Sequence, residues 1–173
     1  QFEARLHDPI FRICNLYSIT DKDGNTVRFE PNWPQRVVLH YVYTLGRQRI
    51  AIPKARQLGF STLIALLAFD KAYWGEGQQC SIVDQTRDDA EEKLDKVAFA
   101  FEQLDPELRE GAGLIVDKNS EMAWSNGGSV GAGKNARGGT NQLLHISEWG
   151  VIAYEDPKRS AEIVSGAIPS CSG

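Results

Sequence analysis

The order of three neighbouring segments constrains this chain most. Residues 49–53, Arg-Ile-Ala-Ile-Pro, form a brief apolar run ended by proline. A polar loop follows, Lys54-Ala55-Arg56-Gln57-Leu58-Gly59-Phe60, and Ser61-Thr62 then opens a long Ala/Leu-rich apolar stretch over 61–74. The first run has the length of a buried strand and the last that of a buried helix, so strand, loop, helix is expected. The same alternation continues downstream. A strand is expected over 80–83, and a helix over 86–104 with Ala90, Leu94, Val97, Ala98 and Phe101 on one face. Short strands at 114–116, 121–124 and 129–130, separated by Asn and Gly turns, suggest a small meander, and 143–146 reads as one more buried strand. Short helices complete the pattern at 36–43 and at 160–168, the latter stopped by Pro169. Helices alternating with apolar strands predict an α/β fold with a mostly parallel sheet flanked by helices.

The chain has 173 residues, 42% hydrophobic and 24% charged, which suits one domain with an ordinary core. No repeat, low-complexity tract or long linker divides it, so the expectation is a leading segment, 1–28, and a core, 29–173. A net charge of −4 excludes a global positive field, so any polyanion must meet a local patch. Cys14, Cys80 and Cys171 are odd in number and far apart, which excludes a readable disulfide framework or CxxC pair and favours a reducing, intracellular setting. The longest apolar run, 63–69, is far short of a bilayer span, and Gln1-Phe2-Glu3 lacks a basic leader, so no membrane insertion is expected. A first residue other than Met is what a piece of a longer protein would show.

The loop over 54–62 carries the leading motif. Between a strand and a long helix, backbone N–H groups and the helix dipole can cradle phosphates. Against the phosphate-loop pattern G-x-x-x-x-G-K-[ST], Gly59 and Ser61 fit, while Lys54 stands for the first Gly and Phe60 for the Lys. Lys54, folded back over the loop, is the candidate cation for the β/γ-phosphates, Arg56 a second, and the Ser61 hydroxyl a ligand for Mg²⁺. The alternative is an ordinary turn with Lys54 and Arg56 solvated. Downstream, Gly128-Ser-Val-Gly-Ala-Gly-Lys134-Asn135 lies closer to the same pattern, but no apolar helix follows it. It is read as a Gly-rich loop able to present Lys134 or Arg137.

A phosphate-cleaving site also needs a carboxylate at a strand tip beside the loop, to orient the attacking water. Leu143-Leu144-His145-Ile146-Ser147-Glu148 supplies Glu148, with Ser147 where an Asp commonly precedes it, able to hold a Mg²⁺-bound water. His7, His40 and His145 share no metal-ligand spacing, and Trp33, Trp74, Trp124 and Trp149 are scattered, so packing roles are expected for them.

Taken together, Phe29-x-Pro-Asn32-Trp33-x-Gln35, the 54–62 loop, Asn135-Ala-Arg137-Gly138-Gly-Thr140 and Leu144-His-Ile-Ser-Glu148-Trp resemble the ATPase domain of the large terminase subunit of tailed bacteriophages, from about Phe29 to Pro169. The resemblance implies a P-loop NTPase of the additional-strand, conserved-glutamate type, with a Lys at the start of a deviant loop, as Lys54 is. It implies that Gln35, with Asn32 or Trp33, reads the adenine edge, that Glu148 is the catalytic carboxylate, and that Arg56 and Arg137 are arginine-finger candidates. It further implies Mg-ATP hydrolysis driving double-stranded DNA into a procapsid, in a ring of copies with a portal protein and a small terminase subunit, in the bacterial host cytoplasm. Ser165-Gly166-Ala167 lies in a helix-like stretch with no strand before it, so the family's coupling strand would begin beyond Gly173, and no nuclease domain or activity is expected. The rival readings are a superfamily 2 helicase-type ATPase and a catalytically silent module that binds nucleotide or DNA.

Overall fold

Cys80 to Val83 are buried without exception, the mark of a strand covered on both faces, and this strand, β3 (Gln79–Val83), lies inside a five-stranded sheet. The computed structural model describes residues 2–53, 58–136 and 139–171. The sheet order is β4 (Leu114–Lys118), β5 (Glu121–Trp124), β6 (Ser129–Gly133), β3, β7 (Leu143–Ile146). β3 runs parallel to β6, with Cys80 opposite Val130, and parallel to β7, with Val83 opposite Ile146. β4, β5 and β6 form an antiparallel meander.

Alternation along the strands sends side chains to two cores. Cys80, Ile82 and Leu143 face the larger core, built with α4 (Phe60–Trp74) and α5 (Arg87–Glu102). Val83, Leu144 and Ile146 face a smaller one, closed by Ile152 of α7 (Trp149–Glu155) and by Ile163, where α8 (Pro157–Glu162) continues as a π-helical turn, Ile163–Ala167. Helices therefore lie against both faces of a mixed α/β sheet.

The orientation of α4 sets up everything that follows. At its end, Asn126 donates its amide to the carbonyls of Ala72, Tyr73 and Gly75 at 2.8–2.9 Å. A Cβ on Gly128 would stand 2.0 Å from the Ala72 carbonyl oxygen, so only glycine lets the β5–β6 turn approach so closely. The last turn of α4 is thus pinned at the amino edge of β3 and β6. Its 15 residues span about 22 Å at ~1.5 Å each, against about 17 Å for the five residues of β3. Its first turn accordingly lies toward the carboxyl edge of the parallel strands.

The segment before Phe29 is part of the core. It comprises α1 (Phe2–Arg5), α2 (Pro9–Asn15), β1 (Ser18–Thr20) and β2 (Thr26–Arg28). Ile13 and Tyr17 are buried in the larger core, and Arg12 of α2 grips Asp70 of α4 with Nε to Oδ1 at 2.8 Å and Nη2 to Oδ2 at 2.6 Å. Tyr17 Oη donates to the same carboxylate at 2.5 Å and accepts from Trp74 Nε1 at 3.0 Å. α3 (Trp33–Leu39) continues as a π-helical turn, His40–Thr44, and α6 (Pro106–Arg109) follows α5.

Several expectations need correction. Residues 49–53 form no strand: Ile50 is 38% exposed, and no described strand lies alongside to hydrogen-bond them. The sheet is mixed instead of mostly parallel, because β6 pairs with β3 and so brings the antiparallel meander into it. The Gly-rich stretch is strand through Gly133, where small residues fit between β5 and β3 under α5, so its loop starts only at Lys134. The helix expected at 36–43 starts at Trp33, with Pro34 in its first turn, and the one expected at 160–168 starts at Pro157; prolines suit first turns. α7 was not foreseen. The helix over 86–104 and its apolar face stand as expected, with Thr86 accepting from the Asp89 N–H as N-cap. Among the described residues no helix is long and apolar enough to cross a membrane.

Candidate functional site

In a parallel arrangement, ligands are met outside the carboxyl ends of the strands. Here that edge consists of Asp84 after β3, Lys134 after β6, and Ser147 and Glu148 after β7. Backbone bonds hold the tips level: the Asp84 N–H donates to Gly133 O at 3.3 Å and the Ser147 N–H to Val83 O at 2.8 Å.

Toward this edge points the start of α4. Gly59 occupies its N-cap with φ 69° and ψ 17°, a left-handed conformation that suits glycine, and caps no N–H with a side chain. The first-turn N–H groups of Phe60, Ser61 and Thr62 are those a helix leaves without intrahelical acceptors, carrying the positive end of its dipole. Ser61 and Thr62 sit in that turn, as expected, and both are half-buried. Lys54, Ala55, Arg56 and Gln57, which precede it, lie outside the described residues, as does Arg137.

The residues at the start of α3 come to the same place. Asn32 caps α3 by accepting from the Gln35 N–H at 3.1 Å, and its own amide donates to Leu58 O at 3.2 Å. Gln35 is buried; its Oε1 accepts from the Asn32 N–H at 2.9 Å and its Nε2 donates to Gly59 O at 2.8 Å. A Cβ on Gly59 would meet that Nε2 at 2.8 Å. Gln35 therefore latches α3 to the left-handed turn, with each end of its amide already bonded to backbone. Trp33, two positions earlier, is 77% exposed. Of this group, it is the side chain that leaves a broad apolar face uncovered.

Glu148 is exposed and has φ 50° and ψ 38°, the one non-glycine residue of positive φ among the described residues. Its carbonyl accepts from the N–H groups of Val151 and Ile152 at 2.9 and 3.1 Å, so the strained residue both ends the β7 segment and starts α7. Strain of this kind costs about 1–3 kcal/mol and concentrates at functional sites. Ser147, by contrast, is buried.

One residue of the edge escaped the sequence reading. Asp84 is 1% exposed, stands beside Ser147 across the β3–β7 ladder, and is ion-paired with Lys93 of α5. Its Oδ1 accepts from the Gln85 N–H at 2.7 Å. The carboxylate absent from position 147 thus has a counterpart one strand away, already neutralised by a lysine. An Asp ending the apolar run 80–83 was the available signal. Lys134 is exposed at the same edge.

The described residues of this edge and of the start of α4 accordingly carry first-turn N–H groups, an exposed indole at Trp33, an exposed carboxylate on a strained turn, and hydroxyls at Ser61, Thr62 and Ser147. Oxygen donors of this type suit Mg²⁺. No protein-family model matches the chain, and no curated protein matches it.

Proposed function

We propose that this chain is a P-loop ATPase domain that hydrolyses Mg-ATP, the motor part of a terminase large subunit that drives double-stranded DNA into a procapsid. The observation that carries the reading is that the glycine-started first turn of α4 and the carboxylate of Glu148 belong to one edge of a parallel set of strands. The motor assignment rests on the sequence resemblance.

In this reading the N–H groups of Phe60, Ser61 and Thr62 bind phosphate oxygens, and Lys54 and Arg56 bring positive charge from the preceding loop. Trp33 covers the base, and Gln35 keeps the turn at Gly59 in its left-handed form. Glu148 orients water for in-line attack and accepts its proton. Mg²⁺, when bound, neutralises charge developing on the phosphate oxygens; Ser61, and Ser147 through water, are the residues that would hold it. Arg137 is the arginine-finger candidate, and such a residue is worth about 10³ to 10⁵ in rate.

The test is titration of the folded chain with a slowly hydrolysed Mg-ATP analogue, beside Lys54→Ala, Lys134→Ala and Glu148→Gln. Wild type and Glu148→Gln are expected to bind, Lys54→Ala to lose binding, and Glu148→Gln to lose about 10²- to 10⁴-fold in turnover. Loss of binding in Lys134→Ala alone would move the phosphate site to the other Gly-rich stretch. No binding by a folded wild type would leave the silent module. Unwinding of a forked duplex would favour the helicase.

A further inference from the structure

We propose that Arg159 is a positioning residue of this site: it ties the start of the β6–β7 loop and the α7–α8 corner to the tip of β3, and so sets turnover without touching the nucleotide. The claim that turnover changes rests on the ATPase reading; the tie itself does not.

Arg159 lies in the first turn of α8, where its N–H donates to the N-capping carboxylate of Asp156 at 3.0 Å. Its guanidinium then reaches across the carboxyl edge. Nε donates to Lys134 O at 3.0 Å, Nη1 to Gln85 O at 3.0 Å, and Nη2 to Asp84 O at 2.5 Å and also to Lys134 O. These carbonyls stand where β3 and β6 end, and so where ladder bonding gives out and a polar group needs another partner. The planar fork of arginine serves three of them at once; a lysine in its place has a single nitrogen to offer.

The tie acts on two parts of the site. Lys134 is where the Gly-rich segment leaves the sheet, so holding its carbonyl fixes the origin of the loop that leads to Arg137. On the other side, Glu148 is the N-cap of α7, which ends at Glu155, whose Oε2 accepts from Gln85 Nε2 at 2.6 Å. Arg159 and Gln85 together bolt the far end of α7 to β3, which fixes the axis along which Glu148 is presented. A shift of about 1 Å in such a group costs on the order of 10²-fold in rate.

The experiment compares wild type, Arg159→Lys and Arg159→Ala for thermal midpoint, for kcat and KM with Mg-ATP, and for the rate of trypsin cleavage after Lys134. Arg159→Ala is expected to lower kcat about 10- to 100-fold while KM stays within about threefold, and to speed cleavage after Lys134 about tenfold or more. Arg159→Lys, which keeps the charge and loses the fork, is expected to fall between the two, and it carries the comparison if the alanine variant does not fold. Unchanged cleavage after Lys134, or a kcat loss accompanied by an equal rise in KM, overturns the proposal. If wild type neither binds nor hydrolyses Mg-ATP, the ATPase reading fails, and the trypsin rates alone then uphold or overturn the tie.

Discussion

Gln35 and Trp33 are two positions apart and have opposite relations to the protein. The amide of Gln35 is buried and bonded at both ends, so its removal takes the acceptor from the Asn32 N–H and one of two donors from the Gly59 carbonyl, which keeps the Leu63 N–H. Each of the two lost bonds contributes about 0.5–1.5 kcal/mol net. Trp33 is mostly solvent-exposed, and surface changes of that kind stay within about 0.5 kcal/mol. Gln35→Ala is therefore expected to lower the urea-unfolding free energy by about 1–3 kcal/mol and to weaken nucleotide binding with it. Trp33→Ala is expected to leave stability unchanged and to cost binding of the Mg-ATP analogue about 1–3 kcal/mol, the range for stacking of a base on an aromatic ring. Equal stability losses in the two variants would contradict the division of labour between latch and platform.

Between elements, α2 is tied to α4 by a buried ion pair. Asp70 accepts two bonds from Arg12 and one from Tyr17 in a region closed to water, and Arg12 Nη1 also donates to Leu6 O at 2.5 Å. Burial pushes the Tyr17 hydroxyl well above its ordinary pKa, so it remains a donor to Asp70. Breaking one side of such a pair leaves a buried charge alone, whereas replacing both sides removes the cost of desolvation. Asp70→Ala is expected to cost about 3–5 kcal/mol in denaturant unfolding, and the double change Arg12→Met with Asp70→Leu to recover most of it. Failure of the double change to recover stability would mean that α2 is held to α4 mainly by the apolar contacts of Ile13 and Tyr17.

For the molecule as a whole, the buried strand β3 leaves a measurable mark on stability. Cys80 lies between Val130 of β6 and Leu143 of β7, and burial pushes its thiol up to about 12 from an ordinary 9.0. The folded state therefore keeps a proton that the unfolded chain releases above pH 9, and unfolding gains ground as pH rises from there toward 12. The resulting loss is about 1 kcal/mol at pH 10 relative to pH 8. Urea melts at the two pH values check this: wild type is expected to lose that amount, and Cys80→Ala to lose less, although its stability at pH 8 is lower. A matching decline in Cys80→Ala would assign the effect to other groups.

What could be read along the chain was what neighbours in sequence settle among themselves. The long apolar stretch ending at Trp74, the face of α5 from Ala90 to Phe101, the cap at Thr86 and the turns of the meander follow from periodicity and turn chemistry, which act over a few residues. The candidate groups Ser61 and Glu148 were legible for the same reason, as short patterns at a helix start and a strand tip, whereas Gln35 entered only through the family resemblance. What the chain order could not convey depends on partners far away. Residues 49–53 have strand-like composition, yet a strand exists only where another supplies hydrogen bonds, and none of the described strands does. Gly131 and Gly133 read as loop but lie in a strand because β3 and β5 close on them from both sides. Asp84 joined the site through a ladder to β7, and Arg159 through a side chain reaching back across roughly 75 positions to β3. Local propensity chose the elements; the packing of distant segments chose which of their ends would meet.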